Sequence, residues 1–439
     1  MSESGLFSRV LGLPLHWQIA IALVLAALAG WLGDETTMVF GASLIDIFDF
    51  VGGLFLNALK MVVVPLILSS IIVGVGNMAS QGAFGRVGGK TLGFYLVTGL
   101  LSILTGLILV NVIAPGETES ARALAAALPD ASQVMGKVEG RGVADLLEVI
   151  RRAVPSNIFE AALEVQLLAL IFVGVVFGYF LSRLEGPAGE TLRNFWVGVH
   201  DVMIMITMWI MRFAPIGVFA LVGKTLIVSG FAALEALGLF FLTVLLALAV
   251  HFAVWLPLLL RLFAGVRPYA YYGRVAPAQL TAFSTASSSA TLPVSMHSAE
   301  QAGVSKRVTG FVLPLGATVN MDGTALYECV VVVFIAQVYA LVSGVEFGIA
   351  EQFIVVLLAL LTSIGVAGIP AASLVAIALI LPAVGLPVEA LAIVLAVDRI
   401  LDMCRTAVNV TSDLTITALV ARTEGEELPG LQTGARAEA

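Results

Sequence analysis

Long apolar runs divide the chain. They cover residues 16–33, 46–76, 88–114, 165–183, 195–225 and 230–262. The runs are too long and too uniformly apolar for the alternating strands of a barrel, so they predict membrane-spanning α-helices. About 20 apolar residues cross the hydrocarbon core. The 46–76 and 195–225 runs exceed that, which predicts strong tilt or bending. Beyond residue 262 the pattern changes. Residues 275–300 contain TAFSTASSSATLPV, too polar and interrupted to cross twice. The 308–342 run carries NMDGT at its centre, and 350–385 is broken by GVAGIPAAS. The last run, 387–420, contains DRILDMCRTAVNVTSD. Residues 115–150 form a polar connection, and VADLLEVIRRAV within and just after it reads as a short amphipathic packing helix.

Basic residues orient these runs, because cytoplasmic loops are enriched in Lys and Arg. Arg86 and Lys90 follow the second run, Arg183 and Arg193 the fourth, and Arg261, Arg267 and Arg274 the sixth. Lys306 and Arg307 precede the next span, and Arg422 follows the last. The first connection has Asp34 and Glu35 but no Lys or Arg. Both termini are therefore expected in the cytoplasm. Basic residues in 115–150 break the trend, but in a long mixed-charge loop, where the rule is weaker. Residues 275–300 have cytoplasmic basic groups on both sides, which predicts a re-entrant hairpin entered from the cytoplasm. A second hairpin at 350–385, entered from outside, restores the parity of crossings. The expected architecture is all-α and polytopic, with eight transmembrane helices and two oppositely oriented re-entrant hairpins. That pattern resembles an inverted repeat with its site near the bilayer midplane.

Composition agrees with this reading. The 439 residues are 59% hydrophobic and 12% charged, against roughly 25% charged in soluble domains. Mean hydropathy is +1.04. The net charge of −8 is spread over loops, and no nucleic-acid partner is expected. MSESGLFSRVLGLPLHW carries only Arg9 as a basic group and runs into the first span, so no cleavable signal is expected. Cys329 and Cys404, both in apolar segments, make a disulfide framework or cysteine metal site unexpected.

Polar groups at membrane depth are the candidate chemistry. Each charge there costs about 2.5–3.5 kcal/mol on insertion scales, so charges persist when they pair or line a polar path. Ser287, Ser288 and Ser289 lie at the first hairpin tip, where half-helix N-termini and hydroxyls suit a carboxylate. A flexible polar loop would look the same. Asn320-Met321-Asp322-Gly323-Thr324 are poor mid-helix residues, which predicts an unwound stretch with exposed carbonyls. Such oxygens suit hard cations. Ser363 to Ser373 contains Gly365, Gly368 and Pro370, which break a helix and read as either a kink or a gate. In the last span Asp398, Asp402, Arg405 and Asn409 share one helical face. Arg405 offers a planar fork to a carboxylate and Asp402 a partner to an ammonium, matching the two ends of an acidic amino acid. Asp413 adds two oxygens for an ion. An internal Asp–Arg pair serving only helix packing would leave two further aspartates unneutralised.

Asp322, Asp398, Asp402 and Asp413 against Arg405 leave three net negative charges if all are ionised. Arg399 is expected to point off this face and pair elsewhere. An anionic substrate worsens the balance, so its binding requires cations or protons to bind with it. That requirement is the physical content of symport. An intramembrane serine hydrolase would need a general base; none of His16, His200, His251 and His297 lies in one of these four motifs, and His297 shares the serine hairpin but toward its cytoplasmic end.

The SSS tip, NMDGT, the broken GIP segment and DxxxDxxRTxxNVxxD, in this order and spacing, resemble the dicarboxylate/amino acid:cation symporter family, the glutamate transporter homologues. The resemblance covers nearly the whole chain and is densest over 275–420. It implies a homotrimer in the inner (plasma) membrane, working as an elevator. Residues 1–87 and 115–228 would supply scaffold spans one, two, four and five. Residues 88–114 and 229–422 would form the moving transport domain with both hairpins, and 423–439 a cytoplasmic tail.

By the same resemblance Ser288, Ser289 and backbone near Gly368 meet the substrate α-carboxylate. Arg405 and Thr324 take the side-chain carboxylate, and Asp402, Thr406 and Asn409 the amine. Ser287, Met321, Ile369 and Pro370 complete the substrate set. Sodium, the coupling ion, is assigned to three sites, with no other cofactor. One site is Gly316, Asn320, Asn409 and Asp413. The second is Thr318, Ser363 and Ile364, through backbone oxygens, and the third Tyr95, Thr98, Asn320 and Asp322. Gly99 stands where sodium-coupled relatives often have a hydroxyl, and Val366 where some have threonine. Ala286 stands where some archaeal members have arginine. Proton-coupled relatives can have asparagine at the position of Asp413, so aspartate favours sodium. Neutral amino acid branches can replace the Arg405 position, sometimes with cysteine; here Cys404 is adjacent and the arginine is kept. The implied activity is sodium-coupled import of aspartate or glutamate. The alternative is proton-coupled transport of glutamate or a C4-dicarboxylate.

Overall fold

The computed structural model describes residues 13, 15–34, 36–39, 41–80, 86–125, 154–163, 167–229, 232–343, 347–363 and 372–431. It is built almost wholly of helices: α1 (Leu15–Leu32), α2 (Leu44–Ser80), α3 (Arg86–Ile113), α4 (Glu119–Ala125), α5 (Ile158–Leu163), α6 (Leu167–Arg183), α7 (Gly186–Met211), α8 (Ala214–Ser229) and α9 (Ala232–Val250). Then come α10 (Pro268–Thr285), α11 (Ser288–Gln301), α12 (Lys306–Val319), α13 (Asp322–Ser343), α14 (Ile349–Ser363), α15 (Ala372–Ala383) and α16 (Leu395–Thr423). The strands among the described residues are two-residue pieces, β1 (Met38–Val39) and β2 (Ala42–Ser43), paired antiparallel.

The two over-long runs behave differently. The first is the unbroken helix α2, which keeps Pro65 inside it. The second bends by 54° between α7 and α8. Among the described residues, three stretches are long and apolar enough by themselves to cross a membrane: Arg86–Glu117, Glu235–Ala264 and Lys306–Ser343. Many large apolar side chains face outward, including Trp31, Phe50, Phe180, Phe195 and Trp209. Outward apolar faces of this extent fit hydrocarbon, not water.

The sixth run has an irregular second half. Helix α9 continues as a π-helical turn at His251–Trp255, a short α-helical turn at Leu256–Leu259 and a second π-helical turn at Leu260–Ala264. Pro257 explains part of this, because it has no N–H for the preceding turn. The carbonyls it leaves open are met by tyrosine hydroxyls. Tyr269 donates to Ala253 O at 3.0 Å and Tyr272 to Phe252 O at 3.0 Å.

Two helix interruptions among the described residues fall near the expected places. Between α10 and α11, Ala286 adopts a left-handed φ of 50°, and Ser287 caps α11 by accepting from Ala290 N. Between α12 and α13, Asn320 leaves helical geometry at φ −105° and ψ 85°. Residues 364–371, with Ile364, Gly365, Val366, Gly368, Ile369 and Pro370, lie outside the described residues, as do 143–153 of the expected amphipathic helix.

Helices α1, α2, α6, α7 and α8 pack mainly on one another, and α3 and α9 to α16 do the same. Between the groups, Ile71 of α2 packs with Val375 and Leu379 of α15. In the second group α13 is buried on every side from Asp322 to Tyr339, and α16 from Val408 to Ala421. Residues beyond α16 fold back. Leu428 and Leu431 are buried, Arg267 N donates to Leu431 O at 2.7 Å, and Arg274 donates to Pro429 O at 3.0 Å.

Candidate functional site

The site grows from the break between α12 and α13. Gly, Asn and Asp hold helical geometry poorly, and here the backbone leaves it at Asn320. The first N–H groups of α13 then lack intrahelical partners. Asn409 of α16 supplies one: its Oδ1 accepts from Gly323 N at 2.7 Å and Thr324 N at 3.3 Å. Its Nδ2 donates to Thr324 Oγ1 at 3.0 Å. The Asn409 side-chain oxygen thus caps the start of α13.

Oxygen atoms collect on the other side of the break. Asn320 Nδ2 donates to Asp413 Oδ1 at 2.9 Å and to Ser412 Oγ at 3.0 Å. Ser412 donates to Asp322 Oδ2 at 2.6 Å. The Thr98 hydroxyl of α3 lies 3.3 Å from Asp322 Oδ1. Tyr95 donates to Val312 O at 2.7 Å. A Cβ placed on Gly316 would intrude on Asp413 Oδ1 and lie 2.9 Å from the Tyr95 hydroxyl oxygen, so these three groups meet at one point. A cavity of about 160 Å³ opens beside them, lined in part by Tyr95, Gly99, Asn320, Met321, Asp322 and Ser363. Asp322 and Asp413 are each at most 3% exposed. Two buried carboxylates among carbonyls, amide and hydroxyl are a donor set for a hard cation. Thr318 is exposed, and its hydroxyl donates back to Leu315 O.

The second cluster lies along α16. Arg405 is fully buried, and its Nη2 donates to Asp398 Oδ1 at 3.1 Å and Asp402 Oδ1 at 3.0 Å. The Tyr327 ring lies 3.8 Å from the guanidinium carbon. Arg405 Nε and Nη1 have no hydrogen-bond partner among the described residues. The guanidinium therefore keeps donors that the described residues do not meet. Thr406 donates to Asp402 O, one turn back along the helix. Helices α10 and α11 pack on α16, with Ser287 and Ser288 buried and Ser289 exposed.

One expectation is corrected. Arg399 does not point away from the cluster; its Nη1 lies 3.3 Å from Asp402 Oδ2. The reason is helical spacing, since residues three apart are neighbours on the surface of a helix.

Sequence reasoning also missed three groups. His251 Nε2 lies 3.0 Å from Asp322 Oδ2, fully buried. Glu328 is fully buried beside Tyr327, accepting from Thr362 at 2.7 Å through Oε2 while Oε1 has no partner among the described residues. Ser412 bridges Asn320 and Asp322. The cost of polar groups at membrane depth, applied to every apolar run, would have flagged His251 and Glu328. Ser412 carried no such signal.

The sequence matches the sodium:dicarboxylate symporter family over residues 15–423. It is 32% identical over 417 residues to a proton/sodium-glutamate symport protein of Geobacillus stearothermophilus, covering 94% of this chain and 95% of that one. It is 33% identical over 412 residues to the proton/glutamate-aspartate symporter of Escherichia coli (strain K12), covering 93% of each. Excitatory amino acid transporter 3 of Homo sapiens is 33% identical over 434 residues, covering 87% of this chain and 80% of that one. Both the break with its oxygen cluster and the guanidinium with its aspartates lie inside the matched region. The chain is thus an integral membrane transporter, not an enzyme, and belongs to the sodium:dicarboxylate symporter family.

Proposed function

We propose that this protein is a secondary active symporter that imports aspartate or glutamate together with sodium. One observation carries the reading: α16 holds both a buried guanidinium with donors unmet among the described residues and Asp413, which meets Asn320 beside the cavity that Asp322 lines. Arg405 takes the substrate side-chain carboxylate and Asp402 its ammonium, with Thr324 and Thr406 beside them. Tyr95, Thr98, Gly316, Asn320, Asp322 and Asp413 supply sodium ligands, as does Ser363 at the cavity wall. Ser287 to Ser289 and the 364–371 segment, with Ile364, Gly368, Ile369 and Pro370, close over the substrate from two hairpins of opposite entry.

On this reading the group formed by α3 and α9 to α16 is the moving element of an elevator. The group formed by α1, α2, α6, α7 and α8 is the scaffold of a homotrimer. Both termini face the cytoplasm of a cell whose inner membrane holds the protein. The separate packing of the two helix groups supports this division.

Purified protein in liposomes tests the function. Labelled aspartate should accumulate only with an inward sodium gradient, and competition by excess glutamate should exceed that by succinate, which lacks the ammonium that Asp402 receives. Equal uptake on a proton gradient in sodium-free buffer would move the coupling to protons. Efficient displacement by succinate would remove the amino acid assignment.

A further inference from the structure

Asp322 offers two oxygens, and the structure treats them differently. Oδ2 receives His251 Nε2 at 3.0 Å and Ser412 Oγ at 2.6 Å. Oδ1 has the Thr98 hydroxyl at 3.3 Å, and a Cβ on Gly99 would come within 3.5 Å of it. Gly99 and Asp322 both line the cavity, so Oδ1 stands beside a residue of the cavity wall.

The ring that holds Oδ2 is itself held. His251 opens the π-helical turn at His251–Trp255. Widening a turn by one residue re-aims the side chains on it, which is why such turns cluster at functional sites. The far end of the same turn is anchored to α3, where Trp255 Nε1 donates to Thr105 Oγ1 at 2.9 Å. His251 Nδ1 has no partner among the described residues. The proton therefore belongs on Nε2, where it meets a carboxylate. Ser412 is fixed from its other side by the Asn320 amide at 3.0 Å.

We propose that His251 and Ser412 are positioning residues for the cation site: together they hold one oxygen of Asp322, so that the carboxylate meets the ion through its other oxygen alone. The proposal rests on the reading of Asp322 as a sodium ligand and adds to it the groups that orient that ligand. A carboxylate free to rotate would swing between chelating the ion and bridging toward neighbouring donors. Clamping one oxygen fixes both the direction of the other and the number of ligand atoms supplied. Outer groups that orient a metal ligand typically contribute about 10–100-fold in ion affinity.

The test uses the full-length protein in detergent, with sodium chloride exchanged for choline chloride at constant ionic strength. Thermal stabilisation by sodium is titrated without amino acid, and aspartate affinity is measured separately at saturating sodium. His251→Leu should raise the half-effective sodium concentration about tenfold or more. His251→Gln, whose amide can still donate, should stay within about threefold of the parent, and Ser412→Ala should fall between the two. Aspartate affinity at saturating sodium should change less than about twofold in all three, which a general loss of packing would not spare. A His251→Leu titration matching the parent, or equal damage from His251→Gln, would overturn the positioning role while leaving sodium coupling intact. A parent protein that sodium does not stabilise would overturn both readings together.

Discussion

The α12–α13 break and the continuous helix α16 both place acids deep in the protein, yet only one keeps its backbone intact. Helix α16 runs unbroken for 29 residues through Asp398, Arg399, Asp402, Arg405 and Asp413. Its charges largely satisfy one another along the same helix, at spacings of three and seven residues. The 316–324 segment has no such internal partners. Asn320 and Asp322 reach instead to Ser412 and Asp413 on α16 and to His251 beyond α9. Charges neutralised within a helix leave its hydrogen-bond ladder alone. Polar groups that must turn outward sit where the ladder is already broken, and the freed N–H groups of Gly323 and Thr324 are capped by Asn409. On the proposed function, α16 therefore binds through side chains, and the break binds through a mixture of side chains and backbone.

The largest expected effect comes from removing the internal neutraliser of α16. Arg405→Ala should lower aspartate affinity by about 100-fold or more, measured by equilibrium binding of labelled aspartate at saturating sodium. The substitution also takes the guanidinium from buried Asp398 and from one oxygen of Asp402, which keeps Arg399, so a lower melting temperature is expected with it. Arg405→Lys keeps the charge but not the fork, and should restore the melting temperature more than the affinity. Aspartate affinity unchanged in Arg405→Ala would end the assignment of the side-chain carboxylate.

Next comes the acid on α16 that serves the break. Asp413 accepts from Asn320 across the two elements. Asp413→Asn should raise the sodium concentration for half-maximal binding by about tenfold or more, with a smaller effect on aspartate once sodium is saturating. A sodium titration that overlays the parent would remove Asp413 from the ion site and leave the comparison without its link.

How much of this contrast was legible in the chain follows from the same physics. The face shared by Asp398, Asp402, Arg405 and Asn409 could be read from helical periodicity, because the helix is regular there. The interruption at 320 could be read from Asn, Asp and Gly in one short run. The Ala286 turn was marked by neighbouring serines. Arg399 was misplaced because the face drawn through Asp398, Asp402 and Arg405 leaves out its own spacing of three from Asp402. The partners of Asp322 were hidden for another reason. His251 lies 71 residues away, in a run where it looked like an isolated polar residue. Only packing shows that the π-helical turn aims it at α13. Ser412 is an ordinary residue in sequence and becomes a bridge only through the approach of α16 to the break.

A smaller effect comes from a single methyl group at the meeting of the two regions. Gly316→Ala puts a Cβ into the space now held by Asp413 Oδ1 and the Tyr95 hydroxyl. One of these must move, so sodium affinity should fall about three- to tenfold while the helix itself gains propensity. Gly310→Ala is the control, because on the same helix it meets nothing within 4 Å. It should leave the sodium titration unchanged. Equal behaviour of the two variants would show that the crowding at Gly316 is not felt by the ion.

The smallest effect lies just past α16, at Glu424. Glu424 accepts from Lys90 at 2.7 Å and Arg86 at 2.8 Å, tying the end of α16 to the start of α3. These donors, Lys90 foremost, hold its carboxyl at about 2, below the usual 4.5. The unfolded chain thus takes up this proton first as pH falls. The stabilisation is complete above about pH 4.5 and disappears as pH drops toward 2. Glu424→Gln should flatten the acid limb of the melting-temperature profile across that window. At neutral pH the shift should stay below about 2 °C, because Arg86 is largely exposed and salt screens the pair. Aspartate and sodium affinities should not move. A matching loss of sodium affinity would mean that the exposed end of α16 is coupled to its buried acids, contrary to the division between charges settled inside the helix and charges settled at its ends.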